Sequence, residues 1–379
     1  MRISVIVPSF YPAGYYGGTI FSIHESLKLL SSRNIKIYVS TTSANGDKRL
    51  NVKKNKFIKF KKNYYVKYYF DEIINRFSFS FLFGIWNDIK KSDIVYVQDI
   101  FSIFAVVAFI ASNFYKKKCL IAPRGSLSEY GLRNKFYFVK KMWIYLFFKL
   151  LNNNYSWHIT SDLEKKEILN LGLKGKKYTI PNYIKFNLTK INAIKPLNWL
   201  NKNSKKIKIG TLTRIDKKKG LKKLIKAFSI ILKDTNAHLA ICGEDHGVKN
   251  DLIFLVKKMG LQKNVSFLKP MYGLKKYQFL KSLDVFCLPS ENENFGNVYL
   301  ESLRVGTPIV ASKFTPWHKI KVYKCGLITN NKIPNIANNI KMIISNRKFF
   351  NKRNCQNLAN VFSESYIINS YLVMFNELN

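Results

Sequence analysis

The sequence predicts an α/β protein made of two doubly wound domains that face each other across a cleft. Strand-like apolar runs alternate with helical patterns along almost all of the 379 residues, which is typical of parallel sheets covered by helices on both faces. The length suffices for two domains with separate hydrophobic cores. Residues 186–206 are rich in Asn and Lys, lack sustained periodicity, and are the expected linker region between the domains.

The predicted strands fall in both halves of the chain. They cover residues 3–7, 35–40, 94–98 and 119–122 in the first half, and residues 207–212, 238–242, 265–268, 284–288 and 308–311 in the second. The clearest helix follows residue 212, where Leu221, Leu224, Ile225, Phe228 and Leu232 recur at helical spacing. Ligands of such sheets bind beyond the carboxyl ends of the strands, so the loops after strands are where we expect the chemistry.

The charge of the chain requires an anionic partner. Lys and Arg number 64 against 22 Asp and Glu, giving a formal net charge of +42. Nucleic acid, a phosphorylated substrate and the anionic face of a membrane all fit this charge. Codon bias in an AT-rich gene accounts for part of the lysine excess but not for the scarcity of acids.

Two stretches bear on membrane contact. The longest apolar run, residues 100–115, is shorter than the roughly 18 to 20 residues of a membrane-spanning helix, so a buried helix is expected. Residues 140–151 are aromatic and basic, which suits a membrane surface or a core helix equally. The N-terminal residues carry one basic residue and an apolar run too short for a signal peptide, and they predict a first strand.

The cysteines and histidines predict neither a disulfide framework nor a metal site. Five cysteines are scattered without a C-x-x-C pair, which favours a reducing compartment. Cys242 and Cys287 lie in apolar runs and are expected in the core. The five histidines show no ligand spacing, and no D-x-D occurs, so neither a metal nor another cofactor is expected.

Two glutamates stand out, because Glu293 and Glu301 lie eight positions apart around a predicted loop-to-helix transition near Gly296. A carboxylate only accepts hydrogen bonds, so it suits the hydroxyls of a sugar or ribose. The start of a helix offers backbone N–H groups to an anion. Together these groups suit a nucleotide-sugar. The alternative is a solvated acidic loop followed by an ordinary surface helix.

Other loops carry groups suited to a diphosphate. After the first strand, Gly17 and Gly18 open a helix where absent side chains let backbone amides approach a phosphate, although turns need glycine in any case. After residue 212, Arg214 and Lys219 flank a tight turn and supply a planar fork and a point charge. Two further loops, after residues 242 and 268, are candidates for ribose and base contacts: Gly243, Glu244, Pro270 and Met271.

These patterns together resemble the retaining glycosyltransferase family 4, which has the GT-B fold of two Rossmann-like domains. The stretch TRIDKKKGLKKLIKAF resembles the family's R-x4-K-G helix start, and SENENFGNVYLESLRVGTPIVAS resembles its E-x7-E motif. IAPRGSLSEYGL, HITSDLEKKEILNLGLKGKKYTIPNYI and TPWHKI resemble a bacterial branch that builds surface polysaccharide, such as O-antigen, capsule or exopolysaccharide. The similarity covers most of the chain.

The resemblance assigns roles to the candidate residues. Arg214 and Lys219 would hold the donor diphosphate with backbone at Gly17 and Gly18, Glu301 would bind ribose, and Glu293 would bind the transferred sugar. Arg214, Lys219 and Glu293 would be the catalytic set. Amides near the sugar and phosphate would come from the loop residues Asn294, Phe295, Gly296 and Asn297.

The resemblance also implies a division of labour between domains. Residues 1–185, with a returning helix at about 362–379, would bind the acceptor, and residues 186–361 would bind the nucleotide-sugar. Gln98, Asp99 and Arg124 would lie on the acceptor or sugar side. The chain departs from the family at two points: Gln98 stands where a histidine is usual and cannot act as a general base, and Tyr183 replaces the glycine of P-N-G.

The expected function is transfer of a hexose from a UDP-, GDP- or dTDP-sugar to a glycan or polyprenyl-diphosphate-linked acceptor, with retention and without metal. The protein would act in the cytoplasm, peripherally on the inner face of the cytoplasmic membrane. A sugar phosphorylase or sucrose-type transferase on the same fold is an alternative. A basic nucleic-acid-binding module is another, but the aromatic-basic motifs of common RNA and DNA folds are missing, so no nucleic-acid partner is expected.

Overall fold

The computed structural model describes residues 1–70, 77–133, 136–150, 155–185, 192–200 and 205–379. Contacts between residues divide the chain into two compact units. The N-terminal unit consists of Met1–Lys185 and Glu364–Asn379, and the C-terminal unit is Phe186–Ser363. The division made from the sequence placed the same boundaries at residues 185 and about 362.

The N-terminal unit is built on an eight-stranded sheet with the strand order β10-β9-β8-β7-β1-β2-β6-β5. Its strands are β1 (Arg2–Ser9), β2 (Lys36–Thr42), β5 (Phe57–Lys61), β6 (Tyr64–Tyr69), β7 (Ile94–Gln98), β8 (Lys118–Ala122), β9 (Tyr155–Ile159) and β10 (Lys176–Thr179). Only β5 pairs antiparallel, with β6. A separate hairpin joins β3 (Ala44–Asn45) to β4 (Lys48–Arg49). The carboxyl ends of all strands of the large sheet except β5 therefore lie along one edge.

Helices connect these strands. They are α1 (Gly18–Ser31), α2 (Phe79–Lys90), α3 (Ile103–Phe114), α4 (Glu129–Arg133), α5 (Tyr137–Ile144), which continues as a π-helix (Tyr145–Leu150), and α6 (Asp162–Asn170). Ser78, Ser102 and Ser161 begin three of them, because each side chain accepts a hydrogen bond from the backbone N–H three residues later. The helix α3 covers the longest apolar run and is buried along one side, as predicted.

The C-terminal unit contains a six-stranded sheet, all parallel, in the order β13-β12-β11-β14-β15-β16. The strands are β11 (Ile207–Leu212), β12 (Ala237–Cys242), β13 (Val265–Leu268), β14 (Val285–Leu288), β15 (Ile309–Ser312) and β16 (Gly326–Thr329). The helices are α7 (Leu221–Ile231), α8 (Lys249–Lys258), α9 (Gly273–Lys281), α10 (Asn297–Val305), α11 (Ile333–Ser345) and α12 (Lys352–Asn360). The fold class predicted from the alternation of strands and helices is confirmed in each unit.

The core of the C-terminal unit follows the predicted apolar faces. Leu221, Leu224, Ile225 and Phe228 of α7 are buried against the sheet, whereas Leu232 lies past the end of the helix and is half-buried. All five cysteines are buried and free. Cys242 ends β12 and Cys287 lies in β14, and both are buried in the core, as expected.

The last helix, α13 (Glu364–Leu378), belongs to the N-terminal unit. Ile367, Tyr371, Met374 and Phe375 are buried in the same cluster as side chains of β1, β2 and β6. The hydroxyl of Tyr183 donates a hydrogen bond to Glu364 at the start of this helix. The segment from Glu364 onward therefore completes the core of the N-terminal unit.

The segment expected to be a linker packs in part on the C-terminal unit. Residues 186–191 and 201–204 lie outside the described residues. Between them, the backbone N–H of Leu197 donates to the carbonyl of Gln278 at 2.9 Å, and Trp199 Nε1 donates to Ser282 Oγ at 2.8 Å. Residues 192–200 are thus anchored to α9 and its C-terminal end.

The aromatic and basic stretch forms the end of α5 and the π-helix after it. Ile144 and Phe148 are buried, but Phe138, Met142 and Tyr145 are exposed, Phe138 by 83% of its surface. One face of this segment therefore enters the core, as the core-helix interpretation predicts, and the other meets solvent. Within the described ranges, no helix has both the length and the apolar character needed to span a bilayer.

Candidate functional site

The loop from β11 to α7 carries Arg214 and Lys219 to the carboxyl edge of the C-terminal sheet. Hydrogen bonds to the neighbouring β12 loop hold it in place: Thr213 N–H donates to the carbonyl of Cys242 at 2.9 Å, and Ile215 N–H donates to that of Glu244 at 2.7 Å. Asp216 Oδ1 accepts from the N–H of Lys218 at 3.0 Å and starts the single 3-10 turn Lys217–Lys219. The position of Lys219 is thereby fixed by backbone geometry.

Two glycines let the loops at this edge approach each other backbone to backbone. Gly220 has a φ of 67°, and a Cβ there would lie 2.1 Å from the carbonyl oxygen of Pro289. Gly243 has a φ of 157°, and its Cβ would lie 1.7 Å from the carbonyl oxygen of Thr213. Only glycine avoids both the strain and the clash. The β11 loop is therefore pressed between the loops that follow β12 and β14.

Lys219 and Glu293 form a buried ion pair at this edge. Glu293 Oε1 also accepts a hydrogen bond from Ser290 Oγ at 2.9 Å. Burial alone would raise the pKa of the Glu293 carboxyl, but the charge and hydrogen bond of Lys219, with help from Ser290 and Lys218, bring it below its usual value. The structure thus joins two of the predicted site residues directly and keeps the carboxylate ionised.

Arg214 supplies positive charge without a matching acid. Its side chain is half-buried, and among the described residues it makes neither a hydrogen bond nor an ion pair. Burial lowers the pKa of Lys218, and the charges of Lys219 and Arg214 lower it further against the opposing effect of Glu293 and Asp216. The charges of Arg214 and Lys219 beside Lys218 would be relieved by a bound anion.

Glu301 lies inside α10, as predicted, and pairs with a lysine that the sequence did not single out. Lys276 Nζ on α9 lies 2.6 Å from Glu301 Oε1. Burial would lower the pKa of Lys276, but the Glu301 carboxylate and the hydrogen bond to it raise the value above normal. The two residues are 25 positions apart, and no local pattern marks Lys276 among the other lysines of α9. Only the packing of α9 beside α10 brings them together.

The start of α10 is anchored by aromatic packing. Phe295 is buried against Trp317 with ring centroids 5.3 Å apart, and the carbonyl of Phe295 accepts a hydrogen bond from Trp317 Nε1 at 2.6 Å. Gly296 follows with a left-handed φ of 72°, and no side chain caps α10 there. Asn294 and Asn297 flank this turn. The loop predicted to present amides to a ligand is therefore anchored by the buried side chains of Phe295 and Trp317.

The remaining predicted residues of this unit lie at the same edge but away from the ion pairs. Glu244 follows Gly243 and is exposed, while Pro270 and Met271 follow β13, with Pro270 exposed and Met271 half-buried. All three are open to contact with a ligand. A group of three or more His, Cys, Asp or Glu side chains able to hold a metal ion is absent from the residues that the structure describes.

The other predicted residues belong to the N-terminal unit. Gly17, with a φ of 85°, precedes α1, and Gly18 is the first residue of that helix. Gln98 and Arg124 are joined by a hydrogen bond of 2.8 Å from Arg124 Nε to Gln98 Oε1. Asp99 Oδ1 accepts from the backbone N–H of Ile100 at 2.6 Å, so this carboxylate helps to shape the turn after β7.

Parts of the chain are similar in sequence to known glycosyltransferases. Residues 198–359 match the family described as Glycosyl transferases group 1. A D-inositol 3-phosphate glycosyltransferase from Corynebacterium urealyticum is 32% identical over 112 residues, which are 28% of this chain and 26% of that protein. The O-antigen biosynthesis glycosyltransferase WclY of Escherichia coli is 28% identical over 241 residues, 59% of this chain and 62% of that protein. The chain thus spans from about a quarter to under two thirds of these relatives.

Solved structures resemble the chain over its whole length. Anabaena HepE in complex with UDP aligns with a TM-score of 0.75 at 18% identity and covers 100% of both chains. WaaG, a glycosyltransferase involved in lipopolysaccharide biosynthesis, aligns with a TM-score of 0.68 at 13% identity and covers 97% of this chain and 98% of its own. At these identities the similarity shows the fold, which is GT-B. The expectation of a GT-B fold is confirmed.

Proposed function

We propose that this protein is a retaining, metal-independent glycosyltransferase that moves a hexose from a nucleotide-diphosphate sugar to a glycan or polyprenyl-diphosphate-linked acceptor in the synthesis of bacterial surface polysaccharide. The group 1 glycosyltransferase match supports the reaction class. The O-antigen relative and the lipopolysaccharide enzyme among the structural neighbours support the pathway class. Structures of HepE with UDP and with UDP-glucose support a nucleotide-sugar as donor.

The observation that carries the proposal is the charge arrangement after β11. Arg214 has no counter-charge among the described residues, and the neighbouring Lys219 is paired with Glu293 at a buried position. A diphosphate would bind the guanidinium through paired charge-assisted hydrogen bonds. Glu293, ionised and fixed by Ser290, would accept hydrogen bonds from sugar hydroxyls. The loops after β11 and β14 thus offer a cation for the diphosphate and a carboxylate for the sugar of a nucleotide-sugar.

In this mechanism the protein mainly stabilises the negative charge on the leaving diphosphate. As the glycosidic bond to phosphate breaks, negative charge grows on the diphosphate and positive charge on the sugar ring. Arg214 and Lys219 would stabilise the negative charge on the diphosphate, and the Glu293 carboxylate would stabilise the positive charge on the sugar ring. These groups are preorganised and partly buried. The departing phosphate oxygen would take the proton of the acceptor hydroxyl on the same face. A separate general base is then unnecessary, which is consistent with Gln98 in place of a histidine.

The charge and the exposed aromatic residues of the protein support a membrane-bound acceptor. The net charge of +42 and the exposed aromatic face of α5 suit a peripheral position on an anionic membrane, where a polyprenyl-linked glycan would be found. The cytoplasmic face is the side on which nucleotide-sugars are available.

A panel of UDP-, GDP- and dTDP-sugars, each titrated against the purified protein in the presence of EDTA, tests the donor site. A bound donor raises the melting temperature by mass action, and we expect one nucleotide to do so. Replacing Arg214 by Ala should abolish this rise and lower turnover by about 10²-fold or more. The exposed Arg353 on α12 provides a control, since Arg353→Ala removes the same charge elsewhere in the unit.

The result that would overturn the proposal is near-normal donor binding and transfer by Arg214→Ala and Lys219→Ala. A sugar phosphorylase would behave differently in the same assay, because inorganic phosphate would act as a substrate and release a sugar phosphate. Transfer that is abolished by EDTA and restored by a divalent cation would exclude the metal-independent mechanism.

A further inference from the structure

Arg124 is fixed at the carboxyl edge of the N-terminal sheet by three side chains. Its Nε donates to Gln98 Oε1 at 2.8 Å, Nη1 donates to Asn182 Oδ1 at 3.0 Å, and Nη2 donates to the hydroxyl of Tyr96 at 3.3 Å. Gln98 ends β7, Arg124 follows β8, and Asn182 follows β10. A single guanidinium therefore links the ends of three strands, and its orientation is set before any ligand binds.

The protons around Tyr96 can be assigned. His158 Nε2 lies 2.9 Å from the carbonyl oxygen of Ile180, which only accepts, so Nε2 carries the hydrogen. His158 Nδ1 must then accept from the hydroxyl of Tyr96. Burial and the charge of Arg124 hold the pKa of His158 well below its usual value, despite the hydrogen bond to Ile180. The imidazole is neutral, and the Tyr96 oxygen is left to accept from Arg124.

The positive charge of Arg124 is not matched by a direct ion pair. All three hydrogen-bond partners are neutral, and among the described residues no carboxylate lies in contact with the guanidinium. Buried Glu164 accepts from the backbone N–H groups of Gly125 and Thr160, each at 2.7 Å. It acts on Arg124 through space. A part-exposed cation held this way favours an incoming anion.

Arg124 and Gln98 both have N–H groups left to donate to that anion. A guanidinium has five N–H groups, and Arg124 uses three of them. The backbone of Arg124 is also held in the left-handed region at φ 54°, which is a costly conformation for a non-glycine residue. Beside it, Gln98 is only 2% exposed, and its Nε2 has no hydrogen-bond partner within the described part of the chain. Buried donors without partners are uncommon and point to a missing acceptor.

We propose that Arg124 binds a phosphate or diphosphate group of the acceptor, with Gln98 as a neighbouring donor. The ligand is called the acceptor on the strength of the transferase function proposed above. The planar fork of arginine matches two oxygens of a phosphate. Arg124 lies in the N-terminal unit, to which the family resemblance assigns the acceptor, and Arg214 lies in the C-terminal unit, to which it assigns the nucleotide-sugar.

Binding of inorganic pyrophosphate to the full-length protein, measured by calorimetry at about physiological salt, tests this proposal. The donor site is first saturated with the nucleoside diphosphate that the donor panel identifies. We expect a second pyrophosphate site in the wild type, weakened at least about tenfold in Arg124→Gln, since a charged hydrogen-bonded contact is lost. Arg124→Lys keeps the charge but loses the fork and should be intermediate.

Arg133→Gln is the matched control. Arg133 lies on α4 in the same unit and pairs with Glu129 at an exposed position, so its replacement removes one charge without touching the strand ends. It should bind pyrophosphate as the wild type does. Equal binding by Arg124→Gln and Arg133→Gln would overturn the proposal, as would a wild type that binds nucleotide but no second pyrophosphate. Lower stability of Arg124→Gln with unchanged binding would make Arg124 a purely structural tie between strands.

Two further arms separate the possible outcomes. If no nucleoside diphosphate binds, the donor assignment fails. Pyrophosphate binding is then compared between Arg214→Ala and the double variant Arg214→Ala, Arg124→Gln. Weaker pyrophosphate binding by the double variant would still support the phosphate site at Arg124. Farnesyl diphosphate, used below its micelle concentration, identifies the source of the phosphate. Tighter binding than pyrophosphate indicates a lipid-linked acceptor, and equal binding indicates a soluble phosphorylated one.

Discussion

At the scale of single residues, two neighbouring glutamates show how burial decides the value of an ion pair. Glu293 pairs with Lys219 out of contact with most solvent, whereas Glu291 pairs with Lys223 at 2.5 Å, with both side chains about one third exposed. A buried charge whose partner is removed stays uncompensated, while an exposed one is hydrated. The same change of residue should therefore have very different effects at the two positions.

We expect Glu293→Gln to lower the free energy of unfolding by about 3–5 kcal/mol, because Lys219 would be left buried without its counter-charge. Glu291→Gln should cost no more than about 1 kcal/mol. Denaturant unfolding of the two variants and the wild type measures both values. Saturating nucleotide should recover part of the loss in Glu293→Gln, since a phosphate can replace the carboxylate beside Lys219. Similar costs for the two variants would show that the Lys219–Glu293 pair is effectively solvated.

At the scale of elements, the close approach of the β11 and β14 loops depends on one glycine. Gly220 and Gly260 share the same φ of 67°, but a Cβ at Gly220 would meet the carbonyl of Pro289, whereas at Gly260 it would meet nothing within 4 Å. Substituting these two glycines separates the free-energy cost of a left-handed backbone from the cost of the steric clash. Gly260 lies between α8 and the amino end of β13, whereas the candidate site lies at the carboxyl edge of the same sheet.

Gly260→Ala should destabilise the protein by about 1 kcal/mol through backbone strain alone, and Gly220→Ala should cost that much plus about 1–3 kcal/mol for displaced loops. Thermal unfolding of both variants gives the difference. Gly220→Ala should also weaken donor binding, since Lys219 moves with the turn, and Gly260→Ala should not. Equal melting temperatures and equal donor affinities would mean that the two loops can separate freely.

The sequence analysis found nine of the fourteen strands that the structure describes in the two large sheets, and the missed ones include interior as well as edge strands. Strands β7, β11 and β13 begin and end at the predicted residues, because each is a short apolar run bounded by polar residues. The sequence analysis missed β5, β6, β9, β10 and β16. The first two alternate aromatic residues with lysines, β9 is mixed in polarity, and β16 has only four residues. Their pairing depends on neighbours distant in sequence, which a local pattern does not contain.

The candidate site shows the same division. Arg214, Lys219, Glu293 and Glu301 were singled out from the sequence because their spacing resembles a known motif. Lys276, which pairs with Glu301, was missed, and so was the network of Tyr96 and His158 around Arg124. These partners are ordinary residues by sequence. Their importance comes from packing that brings them to charged groups far along the chain.

At the scale of the whole molecule, positive charge and exposed aromatic residues make a membrane test possible. We expect the protein to float with anionic vesicles at low salt and to detach as salt rises, since surface attraction is screened. Replacing Phe138 and Met142 by Ser should reduce flotation, because both are largely exposed on α5. Phe254→Ser, at an exposed position on α8, is the control. Absence of flotation at low salt would remove the membrane from the proposed function.

The position of α13 has a consequence for how the chain is made. Tyr183 and Glu364 touch although 181 positions separate them, and the side chains of α13 fill the core beside β1. During translation, the N-terminal unit is completed only by a segment that leaves the ribosome after the entire C-terminal unit has been synthesised. Until then the apolar side chains that α13 covers stay exposed to solvent. Nascent chains stalled before residue 364 should therefore bind chaperones.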